Sequence, residues 1–263
     1  MRVEDVVRAM EPWRAVHRRT AWRPVVLPGL DGAGLSHFGG LPYLPDGQLW
    51  PGCGLCWGPL THALQLNLAE IPAEARVPPG RGLLQVFYCD AACLYDWERN
   101  GLQGRGDKAT LVRIVEQTGQ IVGAAVPGVR VLPCKAIAGW NGTDDYPSVH
   151  DHESLGLVYE YLWEHHAIRL QWPCGRLAFE WIEGDEGVAE ALSDARPGDK
   201  LRGWPAWVRF PWRPDCPECG EGMDFVIQLE TCGIVPVYFG GAGRGYVWQC
   251  PTHPEALSLS FDA

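Results

Sequence analysis

Cys53-Gly54-Leu55-Cys56 and Cys216-Pro217-Glu218-Cys219 stand 163 residues apart, and much of their surroundings recurs at the same offset. Gly40 falls on Gly203, Pro42 on Pro205, Pro51 on Pro214, Gln65 on Gln228 and Leu66 on Leu229, and Gly80-Arg81-Gly82 falls on Gly243-Arg244-Gly245. No gap is needed across that stretch. Self-similarity at a fixed offset predicts repeated structural units. Each copy reads as a Gly-x-Pro entry, a Cys-x-x-Cys turn, a strand, a Gly-Arg-Gly turn and a return strand ending in cysteine. The first copy is two residues longer before Cys89 than the second before Cys250, which preserves strand facing because side chains alternate with period two.

Cys53 and Cys56 are followed by Cys89 and Cys93, and Cys216 and Cys219 by Cys250 and His253. A tight Cys-x-x-Cys turn aims two thiolates at one ion, and a two-stranded hairpin brings a distant second pair to complete a tetrahedron. Two structural zinc ions are expected, because a closed four-ligand site leaves no position for water or substrate. Cys134, Cys174 and Cys232 lack partners at ligand spacing and read as buried free thiols.

Outside the cysteines, Leu64 to Leu68, Leu111 to Val115, Ile168 to Trp172 and Leu257 to Phe261 alternate as half-buried strands do. Val6, Val7, Met10, Trp13 and Val16 recur at helical spacing between Glu4 and Arg19. A second helix is expected at Glu186 to Asp194. The glycine clusters Gly101 to Gly106 and Gly240 to Gly245 lack the strand and lysine of a phosphate loop and read as turns. The expected fold is β-rich α+β: a tandem duplication of a zinc-ribbon-like β unit, with an N-terminal helix and a central connecting β segment. The chain then divides, within one domain over 1–263, into a helix (1–22), a first repeat (23–93), a connector (94–200) and a second repeat (201–263).

The chain carries 22 Lys and Arg against 32 Asp and Glu, a net charge of −10, which repels nucleic acid at long range. No run approaches the roughly 18 apolar residues of a membrane span. The N-terminus shows no secretory pattern, so a reducing cytoplasm is expected, where cysteines bind metal more often than they pair.

Phe38-Gly39-Gly40-Leu41-Pro42-Tyr43-Leu44-Pro45, the tail Leu66-Asn67-Leu68-Ala69-Glu70-Ile71-Pro72, and Gly82-Leu83-Leu84-Gln85-Val86-Phe87-Tyr88 resemble the YwqG family of bacterial proteins. So do Gly139-Trp140, Asp144-Asp145-Tyr146-Pro147, Gly198-Asp199-Lys200 and Gly203-Trp204-Pro205-Ala206-Trp207. The combination of Cys-x-x-Cys, Pro-Leu and Gln-Leu also looks like the eukaryotic programmed-cell-death-two proteins. That resemblance implies a β-rich α+β fold and, for the eukaryotic branch, chaperoning of a ribosomal protein. Many YwqG-like members lack metal ligands, so the zinc expectation rests on this chain's own cysteines.

The function expected is therefore a non-enzymatic, zinc-stabilised binding protein, holding a peptide or basic protein segment between the two copies, with Trp140, Trp204 and Trp207 as candidate contacts. Gln65 and Gln228 could bond a guest backbone or be satisfied within the sheet. The alternatives are a metal-dependent hydrolase built on Asp144, Asp145, His150, Asp151, His152 and Glu153, or a toxin-neutralising protein. No catalytic residue is assigned, since no nucleophile-elbow or His-Glu-x-x-His pattern occurs.

Overall fold

The computed structural model of the protein describes residues 3–28, 36–90, 93, 108–117, 125–162, 167–173, 175–180, 195–209 and 211–262. The N-terminal periodicity forms two short helices, α1 (Val3–Ala9) and α2 (Glu11–His17), because Pro12 in the first turn of α2 cannot continue the ladder of α1. The chain is already extended at Arg19, so the last four residues assigned to a helix belong to a strand. The helix expected at 186–194 and the glycine cluster at 101–106 lie outside the described residues.

Thirteen strands follow among the described residues: β1 (Arg19–Pro28), β2 (His37–Phe38), β3 (Thr61–Asn67), β4 (Leu83–Tyr88), β5 (Thr110–Val115), β6 (Lys135–Asp145), β7 (Val158–Leu162), β8 (Ala167–Trp172), β9 (Gly175–Glu180), β10 (Lys200–Arg202), β11 (Asp224–Glu230), β12 (Arg244–Gln249) and β13 (Leu257–Asp262). Ten form one antiparallel sheet in the order β13-β12-β11-β10-β1-β6-β2-β3-β4-β5. Its two edges, β13 and β5, lie against each other, so the sheet nearly closes on itself. Closure removes exposed strand edges. One core fills it, joining Leu64, Leu66, Leu84 and Tyr88 from one half to Ile227, Leu229, Phe239 and Val247 from the other. The Tyr88 and Phe239 rings meet across it at 5.9 Å.

This architecture corrects the expected fold. The protein is mostly β, not α+β, and it is not a pair of zinc-ribbon-like units flanking a connector. The hairpins β3–β4 and β11–β12 are halves of one continuous sheet, bridged through β10, β1, β6 and β2. The supposed connector supplies β5 at one edge and β6 at the centre. β6 runs antiparallel to β1 from Arg19↔Asp145 to Pro28↔Lys135, with a bulge at Val25/Val26. Pro24 is tolerated in this strand because β10 pairs only with Ala21 and Trp22, leaving the far edge of β1 open beyond them. The separate sheet β7-β8-β9 buries Leu157 and Leu170 against Val6, Met10 and Trp13 of the helices.

Both faces of β3 and β4 are buried, and Tyr43 and Trp50, from the segment before β3, lie against Gln65, Gln85 and Phe87. The side they meet is polar. Gln65 Oε1 accepts from the Tyr43 N–H at 2.8 Å, and Gln85 Nε2 donates to the Tyr43 carbonyl at 2.6 Å. In the other half Gln228 Oε1 accepts from the Ala206 N–H at 2.8 Å and the Tyr246 hydroxyl donates to the Ala206 carbonyl at 2.9 Å. The backbone these glutamines hold is therefore the chain's own, which satisfies buried groups that a strand ladder cannot reach.

The same layer contains His62, buried, with Nδ1 2.9 Å from the Gly39 carbonyl. Burial first, and the neighbouring His37 second, lower its pKa to about 3. Between the ordinary value of 6.5 and about 3 the unfolded chain binds a proton that the folded chain refuses, so stability falls as pH falls through that window. From pH 7 to pH 5 wild type is expected to lose about 2 kcal/mol more than His62→Gln in urea denaturation. Equal losses would show that His62 is protonated without unfolding.

Candidate metal centres

The two Cys-x-x-Cys turns are built alike. An isolated bridge pinches each one, Gly52↔Pro59 and Asp215↔Gly222. Inside it the Cys53 N–H donates to Gly58 O at 2.8 Å and the Trp57 N–H to Cys53 O at 2.9 Å; the Cys216 N–H donates to Glu221 O at 2.7 Å and the Gly220 N–H to Cys216 O at 2.8 Å. The hairpin registers Thr61↔Tyr88 and Asp224↔Gln249 then set each turn beside the residue following the return strand, Cys89 or Cys250. Four ligands converge at the same end of each hairpin.

The ligand atoms of Cys53, Cys56, Cys89 and Cys93 all lie within 4.8 Å of one another, as do those of Cys216, Cys219, Cys250 and His253. Sγ of Cys56 is 3.8 Å from that of Cys89, and Sγ of Cys219 is 3.7 Å from that of Cys250. A tetrahedron with metal–sulfur bonds of about 2.3 Å has edges of about 3.8 Å. His253 presents Nδ1, 3.8 Å from Cys216 Sγ and 3.7 Å from Cys250 Sγ. Backbone N–H groups of Leu55, Glu218 and His253 point at ligand sulfurs at 3.4, 3.4 and 3.2 Å, the outer contacts that orient thiolates around an ion. Each set can hold one metal ion.

The thiols of each set influence one another's titration. The Gly58 N–H, ahead of hydrogen bonds within the cluster, lowers the Cys56 thiol to about 7. Burial and Cys56 push Cys93 up. At the second set, backbone N–H groups of Cys219 and Glu218 outweigh burial and bring Cys216 to about 7. Cys219, despite the Glu221 N–H, is pushed up to about 11 by burial and its sulfur neighbours. One thiolate forms readily and opposes the next, so a bound cation is what allows all of them to ionise.

The remaining cysteines depart from expectation in part. Cys134 is half-buried, Cys232 is exposed in a left-handed turn with φ of 55°, and Cys174 lies outside the described residues. The acidic and histidine patch does not converge either, and no third such cluster occurs among the described residues. Asp145 is buried against Lys200 at 2.8 Å; Asp151 accepts from Trp207 Nε1 at 2.9 Å; His152 is buried edge-on to Trp13; Asp144 pairs with Arg18 at the surface.

The three tryptophans are placed as packing groups. Trp204 is 7% exposed, donates from Nε1 to His17 O and lies under the Arg19 guanidinium at 3.5 Å. Trp207 is 9% exposed and stacks on Trp248 at 5.8 Å, and Trp140 leans half-buried on the main core. The space between the halves, where a cleft was expected, is that core. Trp207→Ala is accordingly expected to cost about 3 kcal/mol in a denaturant melt, since it removes a packed ring and one of the donors to the Asp151 carboxylate. A loss below about 0.5 kcal/mol would mean a surface role.

A nearly closed antiparallel sheet with a four-ligand group at the end of each of two hairpins defines a β protein with two candidate structural metal centres. The chain matches the model of the family described as Domain of unknown function (DUF1963) over residues 36–258, a span that contains both centres, and it belongs to that family. No curated protein matches it. None of the helices among the described residues is long and apolar enough to cross a membrane.

Proposed function

We propose that this protein is a non-enzymatic binding protein whose scaffold is locked by two structural zinc ions, one in each ligand set. The carrying observation is the pair of closed, sulfur-rich tetrahedra. Three or four thiolates favour zinc over hard cations, and four protein ligands leave no open position for a reacting water. The partner is a protein or peptide: large apolar side chains stand exposed, Leu49 at 86% and Trp57 at 85%, on a scaffold that has no need of them for its core. The YwqG-like strings and their likeness to the programmed-cell-death-two proteins support the same reading.

Protein purified without chelator is expected to carry about two zinc ions per chain by elemental analysis. Cobalt exchange should give the intense absorption of tetrahedral thiolate coordination. Absence of metal in correctly folded protein, or a single ion shared between the sets, would overturn the two-zinc scaffold.

A further inference from the structure

The row of polar residues on the outer side of β3 and β4 ends at Arg113 on β5. Beside it lies an open groove of about 410 Å³, lined by Leu49, Pro51, Gly54, Lys108, Leu111 and Arg113 among others. Three observations meet at this place.

The first is charge. The groove presents Lys108 and Arg113 and no carboxylate among its described lining residues, although the chain carries −10 overall. At contact the local groups decide, because charges beyond a Debye length of about 8 Å are screened. The net charge of −10 therefore does not describe this face.

The second is unused hydrogen-bonding capacity. Arg113 Nε donates to Gln85 Oε1 at 2.9 Å and its guanidinium lies 5.3 Å over the Phe87 ring, but Nη2 is buried with no hydrogen-bond partner. A guanidinium is planar and offers five donors suited to a carboxylate. Partial desolvation, which lowers its pKa, strengthens its pull on an anion.

The third is Trp57. In the second Cys-x-x-Cys turn the matched position is Gly220, with φ of 74°; Trp57 adopts φ of 63° at 85% exposure. A left-handed backbone costs a residue with a Cβ about 1–2 kcal/mol. Exposed as it is, Trp57 recovers little of that by packing. Its carbonyl adjoins Gly52 in the groove wall. A strained, exposed aromatic beside a groove points to recognition.

We infer that this groove docks a short acidic peptide segment of a partner protein, its carboxylate meeting Lys108 and Arg113 and its neighbouring apolar side chain packing against Leu49 and Trp57. The inference rests on the reading of the protein as a binding scaffold and names the chemistry of its partner. An open groove suits an extended segment better than an enclosed small molecule.

The test is an NMR titration of the zinc-loaded full chain with N-acetyl-leucyl-glutamate and, separately, with the neutral N-acetyl-leucyl-glutamine amide. The acidic dipeptide is expected to shift the Trp57 indole N–H and the Gly52 and Gly54 amides saturably, and to bind about tenfold more tightly than the neutral one. Lys108→Glu and Trp57→Gly should each weaken it by about tenfold. Neither should lower the melting temperature by more than about 2 °C, since Lys108 leaves no core contact and glycine suits the backbone at 57. Equal binding of both dipeptides, no saturable shift, or indifference to both substitutions would overturn the inference. Full competition by inorganic phosphate together with indifference to Trp57→Gly would make this an anion site and overturn the peptide. Zinc content and melting temperature of the same samples separate the two readings: a folded two-zinc protein that ignores the dipeptide sinks the groove, whereas a metal-free folded protein sinks the scaffold.

Discussion

Cys250→Ser is expected to be the most damaging single substitution in the protein, with a stability loss of several kcal/mol. Cys250 is fully buried, touches both Cys219 and His253, and anchors the return strand through its N–H to Ala256 O at 3.0 Å. Structural zinc contributes on the order of 10 kcal/mol to folding in small sites, comparable to the whole stability of a domain. Here a ten-stranded sheet and its shared core also contribute to folding, so the expected loss is a large part of that figure and not all of it. Cys89→Ser should behave likewise at the first set, and a strong chelator should reproduce both losses at once. Cys232→Ser, at an exposed thiol outside both sets, should leave the melting temperature within about 2 °C of wild type. Equal melting temperatures for Cys250→Ser and Cys232→Ser, or indifference of the wild type to chelator, would remove the metal centres from any account of stability.

The second large effect is expected at Asp145, where Asp145→Ala should cost about 3–5 kcal/mol. This carboxylate is completely buried at the end of β6 and accepts from Lys200 Nζ at 2.8 Å, the Trp204 N–H at 2.7 Å and the Arg196 N–H at 2.6 Å. It thereby joins β6 to β10 and to the segments on either side of β10, at the seam where the two halves of the sheet meet. Removing it strands an ammonium and two backbone donors away from water. Burial already lowers the Lys200 pKa to about 8, against the pull of Asp145. Gly203→Ala should report the same crowding from the other side. Its φ is 78°, and a Cβ there would sit 2.2 Å from Asp145 Oδ2. Replacing the pair together, Asp145→Leu with Lys200→Met, should recover much of the loss, because no charge is then left uncompensated. Denaturant melts of the three variants check this. An Asp145→Ala protein within about 1 kcal/mol of wild type would show that water reaches the pair.

The amino-acid sequence determined the local features of this protein. Alternation of apolar and polar residues placed β3, β5, β8 and β13, since facing in a strand is a property of neighbouring residues. Spacing determined the two candidate metal centres: Cys53 and Cys56, and Cys216 and Cys219, are bound to share a turn, and the second pair of possible ligands needs only a hairpin to arrive. The matched turns are local in the same sense, and so they recur with the same hydrogen bonds. The tertiary structure decided what joins what. Nothing near Arg19 or Lys135 in the chain announces that β1 and β6 pair and carry one sheet across both halves, because such pairing is selected by the burial of a common core between residues distant in sequence. The same holds for the polar groups. Gln65 and Gln228 grip the chain's own backbone, and Asp145 is a buried seam rather than a metal ligand, because the partners that satisfy them arrive only when the sheet closes. Trp57 was invisible for a related reason: a tryptophan beside a cysteine reads as core until the turn fixes a left-handed backbone there and leaves its ring in solvent.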